Sequence, residues 1–384
     1  FRTIAADERL APEARDVLAR FQDPVLRLVL ADDAALQGFE HPAWALVDRI
    51  GRVGEDFASG DARQRRMLAF AARLAADLTA SDAPSAALFR RAVEQLDEFA
   101  AEQWQEQLHG AEAAIEHLQR AERRDVLEHR LTERLVEQMA PLRVPAGIRR
   151  FVTSSWSRVL AQAMVEHGEQ HPTTVRFVRT VDDLLWSVTA PNHPGRRSKL
   201  IGLLPGLLET LRQGMASIGM AEAEQQAVLD ELMPIHTEAL RPKSATEDEA
   251  LSAQEIVRRM REEVIPEEPA RSFGDSVIDV ASMDTVPAEF LPTGIEGEAE
   301  TADALQVGQV RRMFIAGRWS HVQLLWRSEQ GQYLLFAGEG AGRTHSMTRR
   351  ALERLQAARL VQPIETQALV QRTIDTLMHQ LALQ

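Results

Sequence analysis

The sequence predicts a mostly α-helical protein. A multi-helix N-terminal body with one long helix or helical hairpin precedes a small antiparallel β-barrel, SH3-like or PilZ-like, that is followed by helices. Three observations carry this. Apolar residues recur three or four apart over most of residues 1–242, the period of helices that bury one face. Residues 243–304 lose that period, turn acidic and are punctuated by Pro266, Pro269, Pro287 and Pro292. Residues 317–348, GRWSHVQLLWRSEQGQYLLFAGEGAGRTHSMT, switch to short aromatic and aliphatic runs separated by glycine, the mark of strands joined by tight turns. The boundaries are therefore 1–242 for the helical part, 243–304 for an acidic linker and 305–384 for a basic β-module with C-terminal helices.

In chain order, helical periodicity covers 13–30 and 43–57, interrupted by Asp23-Pro24 and by ADDAALQGFEHP. Asp61 reads as the N-cap of a helix through about Leu78, and Ser81 or Asp82 starts the next. From Ala86 to Met139 there is no proline and a single glycine, Gly110. Unbroken, that stretch would span roughly 80 Å at the helical rise per residue. It either projects as an arm able to pair with a second copy or folds back near Gly110 or Ala121–Arg124. Further helices are expected at 146–168, 173–188, 196–218 with a kink at Pro205, and 221–239. Within the linker, Ser252 and Glu255 form a capping box for one short helix to Glu263; the rest reads as tether. The β-module has strand-like runs QVGQVRRMFI, RWSHVQLLWRS, QYLLFAG and RTHSMT, with hairpin signals at AG (316–317) and EQG (329–331). Thr348 caps a helix at 349–358, RLVQPI returns as a short strand, and an amphipathic helix covers Glu365–Leu381.

At 384 residues the chain has room for two or more domains. Cysteine is absent, which excludes disulfides and thiolate metal sites and suits a cytoplasmic setting. LIGLLPGLL (200–208) is too short to cross a bilayer and is broken by Pro205. The chain opens on Phe1 rather than Met, so an upstream segment is expected. The net charge of −13 is uneven: residues 1–242 hold 29 basic and 36 acidic side chains, 243–304 hold 5 and 16, and 305–384 hold 10 and 5. A cationic module in an acidic protein points to an anionic partner or to the chain's own acidic segment.

Four blocks resemble a large proteobacterial family of unknown function: HPAWALVDRIGR (41–52), VDDLLWSVTAP (181–191), LIGLLPGLLETLRQGMASIGM (200–220), and the C-terminal pattern VGQ…GRW…VQLLWRS…YLLFA…HSMTRRALERL. The resemblance covers most of the chain and implies a bacterial, cytoplasmic protein. Members often carry the label thymidine phosphorylase. That chemistry needs a phosphate-binding glycine loop with Lys, Ser and Arg on an α/β scaffold. This chain shows no βαβ alternation, and GEGAGR (338–343) is its one glycine loop.

Other catalytic patterns are missing too. Glu106–His109 has di-iron spacing but no second copy, and Pro172 follows His171 of the His167–His171 pair. There is no G-x-S-x-G, and FVTSSWS (151–157) sits on an apolar helix face. No phosphate loop or dinucleotide fingerprint occurs. No catalytic residue, metal ligand or cofactor is indicated.

The β-module carries the candidate binding residues: Arg311, Arg312, Arg318, Trp319, Trp326, Arg327, Tyr333 and Arg343. Guanidinium planes and aromatic rings together suit phosphate pairing and base stacking, or partner-protein contact. With period-2 alternation, Arg311 shares a face with Met313 and Arg312 with Phe314. PilZ-type cyclic-di-GMP receptors also open a small barrel with arginines, but their D/N-x-S-x-x-G strand has no match here. The expectation is a non-enzymatic adaptor or regulator that contacts a protein partner through its helical body and its Arg/aromatic module. A receptor for a cyclic dinucleotide or single-stranded nucleic acid is the alternative.

Overall fold

The structure, a computed structural model, describes all residues except 6, 8, 32–39, 190–195, 241–304, 341, 365–366 and 383–384. The acidic segment expected as a tether, with its short helix at 252–263, thus lies outside the described residues. Two compact units make up the chain, one of residues 1–118 with 274–384 and one of residues 119–273.

The first unit opens with α1 (Arg2–Ala5), α2 (Pro12–Arg20), α3 (Gln22–Ala31), α4 (Pro42–Asp56), α5 (Ala62–Ala80) and α6 (Ala86–Gly110). The periodic stretch 13–30 is two helices, and the break falls at Phe21 rather than at Asp23-Pro24. Phe21 is fully buried. Pro24 lies in the first turn of α3, where a missing N–H leaves no helical bond unmade. His41 caps α4, its Nδ1 accepting from Ala43 N at 3.2 Å. Asp61 caps α5, its Oδ1 accepting from Arg63 N at 2.7 Å. The α2–α6 core is built on Phe21, Leu46, Ile50, Leu74 and Phe89.

Between α6 and α7 (Glu112–Met139) stands the single residue Ala111, at φ −100° and ψ −2°. Its N–H bonds back to Gln107 O, and Ile115 N bonds to Ala111 O. The backbone therefore stays helical through Ala111 and does not reverse at Gly110, since a reversal needs a connecting loop of several residues.

Near the C-terminus a five-stranded antiparallel sheet forms from β1 (Val310–Ile315), β2 (Arg318–Arg327), β3 (Tyr333–Ala337), β4 (Thr344–Thr348) and β5 (Val361–Pro363). The order is β4-β3-β2-β1-β5, a four-strand meander with β5 returning beside β1. Among the described residues no pairing joins β4 to β5, so the sheet is an open roll. The β1–β2 turn places Ala316 at φ +51° and Gly317 at φ +80°, the two positive values of a hairpin turn whose twist matches its strands. One sheet face presents Met313, Ile315, Val322, Leu324, Leu334, Phe336 and Met347 to α13 (Arg349–Ala357), which inserts Leu352 and Leu355. Thr348 caps α13 through its hydroxyl, which accepts from Ala351 N at 3.2 Å.

The last helix, α14 (Leu369–Ala382), does not complete the sheet's core. Its Leu369 and Val370 are buried among the N-terminal helices. The contact is close because α4 carries glycine there: a Cβ on Gly51 would lie 2.6 Å from Leu369 Cδ2.

The second unit contains most of α7, then α8 (Ala146–Phe151), a π turn (Val152–Trp156), α9 (Ser157–His167), α10 (Pro172–Thr189), α11 (Arg196–Ser217) and α12 (Glu222–Leu240). Its core centres on Trp156, which is fully buried. The indole packs edge-on to Phe177 with centroids 5.7 Å apart, and its Nε1 donates to Phe177 O at 3.0 Å. The extra residue of the π turn interrupts the regular ladder at the stretch that carries this indole.

Candidate functional site

Strand register sets the side of the sheet that faces away from α13, which is open along β1 and β2 and buried at β3 and β4, where Tyr333, Leu335 and Ser346 lie. Because directly paired residues share a face, β1 contributes Arg312 and Phe314, and β2 contributes His321 and Trp319 opposite them. Gln362 of β5 pairs with Arg312. A bulge between Leu324 and Trp326 shifts the β2–β3 register and brings Trp326 to this same side, beside Leu335.

On that face the Arg312 guanidinium lies 5.4 Å from the Trp319 ring centroid. Trp319 meets Phe314 edge-on, centroids 5.7 Å apart and planes at 67°. The face ends at Glu339, whose Oε1 accepts from His321 N at 2.9 Å. A second carboxylate oxygen of Glu339 is 3.8 Å from Arg318 Nη1, and His321 Nδ1 is 3.7 Å from Oε1. Burial holds the His321 pKa below its ordinary value; Glu339 opposes this and the Arg312 charge adds to it. The ring is therefore neutral at pH 7. Arg312 and Arg318 are exposed, while Trp319 and Phe314 are half-buried.

The remaining predicted residues lie off the open part of this face. Arg311 is turned to the other face with Met313 and is buried, one guanidinium nitrogen donating to Val310 O at 3.2 Å. Arg327, past the bulge, is also on that side and donates to Leu305 O at 3.0 Å. Tyr333, on the Trp326 side by register, is buried at the start of β3. Arg343 is exposed in the β3–β4 loop, its backbone carbonyl accepting from Gly338 N at 2.9 Å. The structure thus brings Arg312 and Trp319 together, with Trp326 further along the same side, while Arg318 pairs with Ile315 on the opposite face and reaches only the edge at Glu339 from the exposed hairpin end.

Sequence reasoning missed how this module is seated on the helices. The GEGAGR loop closes against the first turn of α5. Arg63 donates to Gly338 O at 2.8 Å, and Gly340 N donates to Asp61 Oδ2 at 3.1 Å. Asp61 and Arg63 are themselves paired, at 3.2 Å, and buried. Burial alone would raise the Asp61 pKa; the bonds from Arg63 and Gly340 outweigh it and hold the carboxyl below its usual value. The second attachment is α14. Asp48 Oδ1 accepts from Val370 N at 2.8 Å, and Arg372 bridges Asp7 at 2.8 Å and Glu55 at 2.5 Å. A cavity of about 380 Å³ lies beside this bridge, lined by Asp48, Arg49, Arg52, Glu55 and Gln367–Leu369. Burial raises the pKa of both Asp48 and Glu55 against the pull of Val370 N and Arg372 respectively. Asp61 was legible as a helix cap, but no local signal marks Arg372.

The residues weighed for catalysis have structural partners. Glu106 pairs with Arg66 at 3.0 Å and His109 with Glu112 at 3.1 Å. His171 caps α10 through Thr173 N. Among the described residues no group of three or more His, Asp or Glu side chains is placed to hold a metal ion. Among the described residues of the second unit one Ser–His pair occurs: Ser187 Oγ lies 3.0 Å from His236 Nε2, whose Nδ1 is 2.9 Å from Leu232 O. Both residues are buried in the α10–α12 contact, so the pair staples two helices. No described helix is long and apolar enough to cross a membrane.

Fold and site together define a mostly helical protein bearing a small antiparallel β-module, with an arginine and aromatic patch on its outer face. The second domain of a family described as protein of unknown function (DUF1631) matches residues 1–81, and the family's third domain matches residues 114–233. These matches cover more than half of the chain, which belongs to that family. No curated protein and no solved structure matches it.

Proposed function

We propose that this protein is a non-enzymatic adaptor or regulator that works by protein–protein contact, with the Arg312–Trp319 face of the β-module as a principal contact surface. The observation that carries the reading is an exposed guanidinium laid over a half-buried indole on a sheet anchored to the helical core of its unit. Contact surfaces draw most of their energy from a few Trp, Tyr and Arg side chains, and such anchors gain when a rigid scaffold pre-orders them. Catalysis is not part of the proposal, because the acids and bases described above are spent on caps and ion pairs.

Quantitative cross-linking in the bacterial source cells tests this, comparing the natural chain with Arg312→Gln and Trp319→Leu. Loss of one defined set of cross-linked proteins in both variants, with thermal unfolding unchanged, is expected. An identical set in all three proteins overturns the reading.

A further inference from the structure

We infer that the occupant of this face is a carboxylate-rich, acidic peptide segment of a partner protein. The inference rests on the contact-surface reading above and deepens it by naming the partner's chemistry.

The cation–π placement selects the ligand class. A guanidinium carbon 5.4 Å over the indole centroid puts positive charge on that ring face, while its N–H donors stay available to an acceptor. The ring contact also restricts the group, so less freedom is lost when it forms a bond. An edge-on, bidentate carboxylate is the natural complement of such a group. A nucleotide base needs the opposite, a bare aromatic plane. Here Arg312 already covers one face of Trp319, and Phe314 packs edge-on beside it. Stacking a base on the covered face would require displacing Arg312, whereas binding a carboxylate requires no rearrangement.

A carboxylate already sits at the end of this face: Glu339 accepts from the His321 amide and lies 3.7 Å from the His321 ring, with Arg318 of the opposite face 3.8 Å away at the edge. The Arg312 end, with Gln362 in register beside it, offers the same donor chemistry outward. Charge agrees with geometry: residues 305–384 carry 10 arginines against 5 acidic residues in a protein of net charge −13. A partner segment with carboxylates on alternate residues would match the period of the strands that present Arg312 and Trp319.

Fluorescence anisotropy on the full chain tests the inference with four labelled probes: a peptide of alternating Glu and Gly, its Gln-for-Glu counterpart, oligothymidylate and cyclic-di-GMP. The Glu peptide is expected to bind and to weaken with added salt, while the Gln peptide does not bind. Arg312→Gln and Trp319→Leu are each expected to weaken Glu-peptide binding by about tenfold or more, as contact-surface anchors do. Thermal unfolding confirms that both variants fold. No binding of the Glu peptide, equal binding of the Gln peptide, or affinity unchanged in both variants overturns the inference. Tighter binding of either nucleotide probe that depends on Arg312 overturns it in favour of a nucleotide ligand. If the Glu peptide fails while cross-linked partners still depend on Arg312 and Trp319, only the acidic class falls. If those partners are also indifferent to both residues, the contact surface falls with it.

Discussion

Replacing Arg372 with Met should release α14 from the N-terminal helices. Arg372 is buried, and its guanidinium serves both Asp7 and Glu55. Methionine keeps most of the stem's volume but leaves two carboxylates facing each other without a counter-charge. Removing one partner from a buried ion pair costs about 3–5 kcal/mol. The apolar anchor of α14 is mainly Leu369 and Val370, and burying two such side chains contributes about 3–6 kcal/mol. The loss is comparable with the anchor, so the helix should open locally before the whole unit unfolds. Hydrogen exchange is the assay: amides of 370–382 in the variant should lose protection while those of α5 and α6 keep theirs. Acid provides a check. Burial already raises the Glu55 pKa and Arg372 opposes that rise; without Arg372 the pKa climbs further, so the variant's deficit should shrink as pH falls toward 5. A triple variant, Asp7→Asn, Glu55→Gln and Arg372→Met, should recover most of the loss. Unchanged protection in the single variant, or a triple variant worse than the single, would refute the reasoning.

Gly51→Ala should destabilise α14 docking by about 1–3 kcal/mol through overpacking, and Leu369→Ala should remove that penalty in a double-mutant cycle by thermal unfolding, because the added Cβ would meet Leu369. Gly214→Ala in the second unit should cost more, about 3 kcal/mol, since its Cβ would lie 2.5 Å from the rigid, fully buried Trp156 ring. Asp56 and Asp61 should give opposite pH slopes. Burial raises the Asp56 pKa to about 6, so its protonated form favours the fold: stability falls as pH rises from about 4 through 6, and Asp56→Asn should add about 1–2 kcal/mol at pH 7 and flatten that slope, the residue's partial exposure discounting the full shift. The Asp61 pKa is lowered, so its contribution is complete above the ordinary carboxylate value and is lost as pH falls below it; Asp61→Ala should cost about 3–5 kcal/mol at pH 7 by stranding Arg63, and little at the acid end of a urea-unfolding series.

What was legible in the sequence was what local rules determine. Helix starts followed from Asp61 and Thr348 because capping is settled within one turn. The strands, the AG hairpin and the return of β5 followed from alternation and turn chemistry. Alternation also separated Arg311 from Arg312, since adjacent strand residues face opposite ways. The misplaced break at Asp23-Pro24 shows the limit of such rules: a proline ends one helix or begins another, and only the burial of Phe21 decides which. Arg372 bridges residues more than 300 positions away, and nothing in RTIDTL distinguishes an inward arginine from a solvated one. The Arg327 position escaped for a different reason: the bulge after Leu324 reverses the alternation, so counting in twos fails beyond it.

The seating of the β-module changes what its charge can do. Asp61, Arg63 and Arg372 are among the most buried charged groups of their unit, and their bonds are to backbone or to buried carboxylates. Salt at physiological strength screens such bonds little compared with exposed pairs. Arg372 apart, the bonds described above hold the module against the helices without its other arginines. Arg312, Arg318 and Arg343 stay on the solvent side, where attraction acts at long range and sets how fast an oppositely charged partner arrives. Attachment and recognition thus fall to different arginines of one small sheet and its neighbours, and a partner can come and go at Arg312 without loosening the bonds made by Arg63 and Arg372.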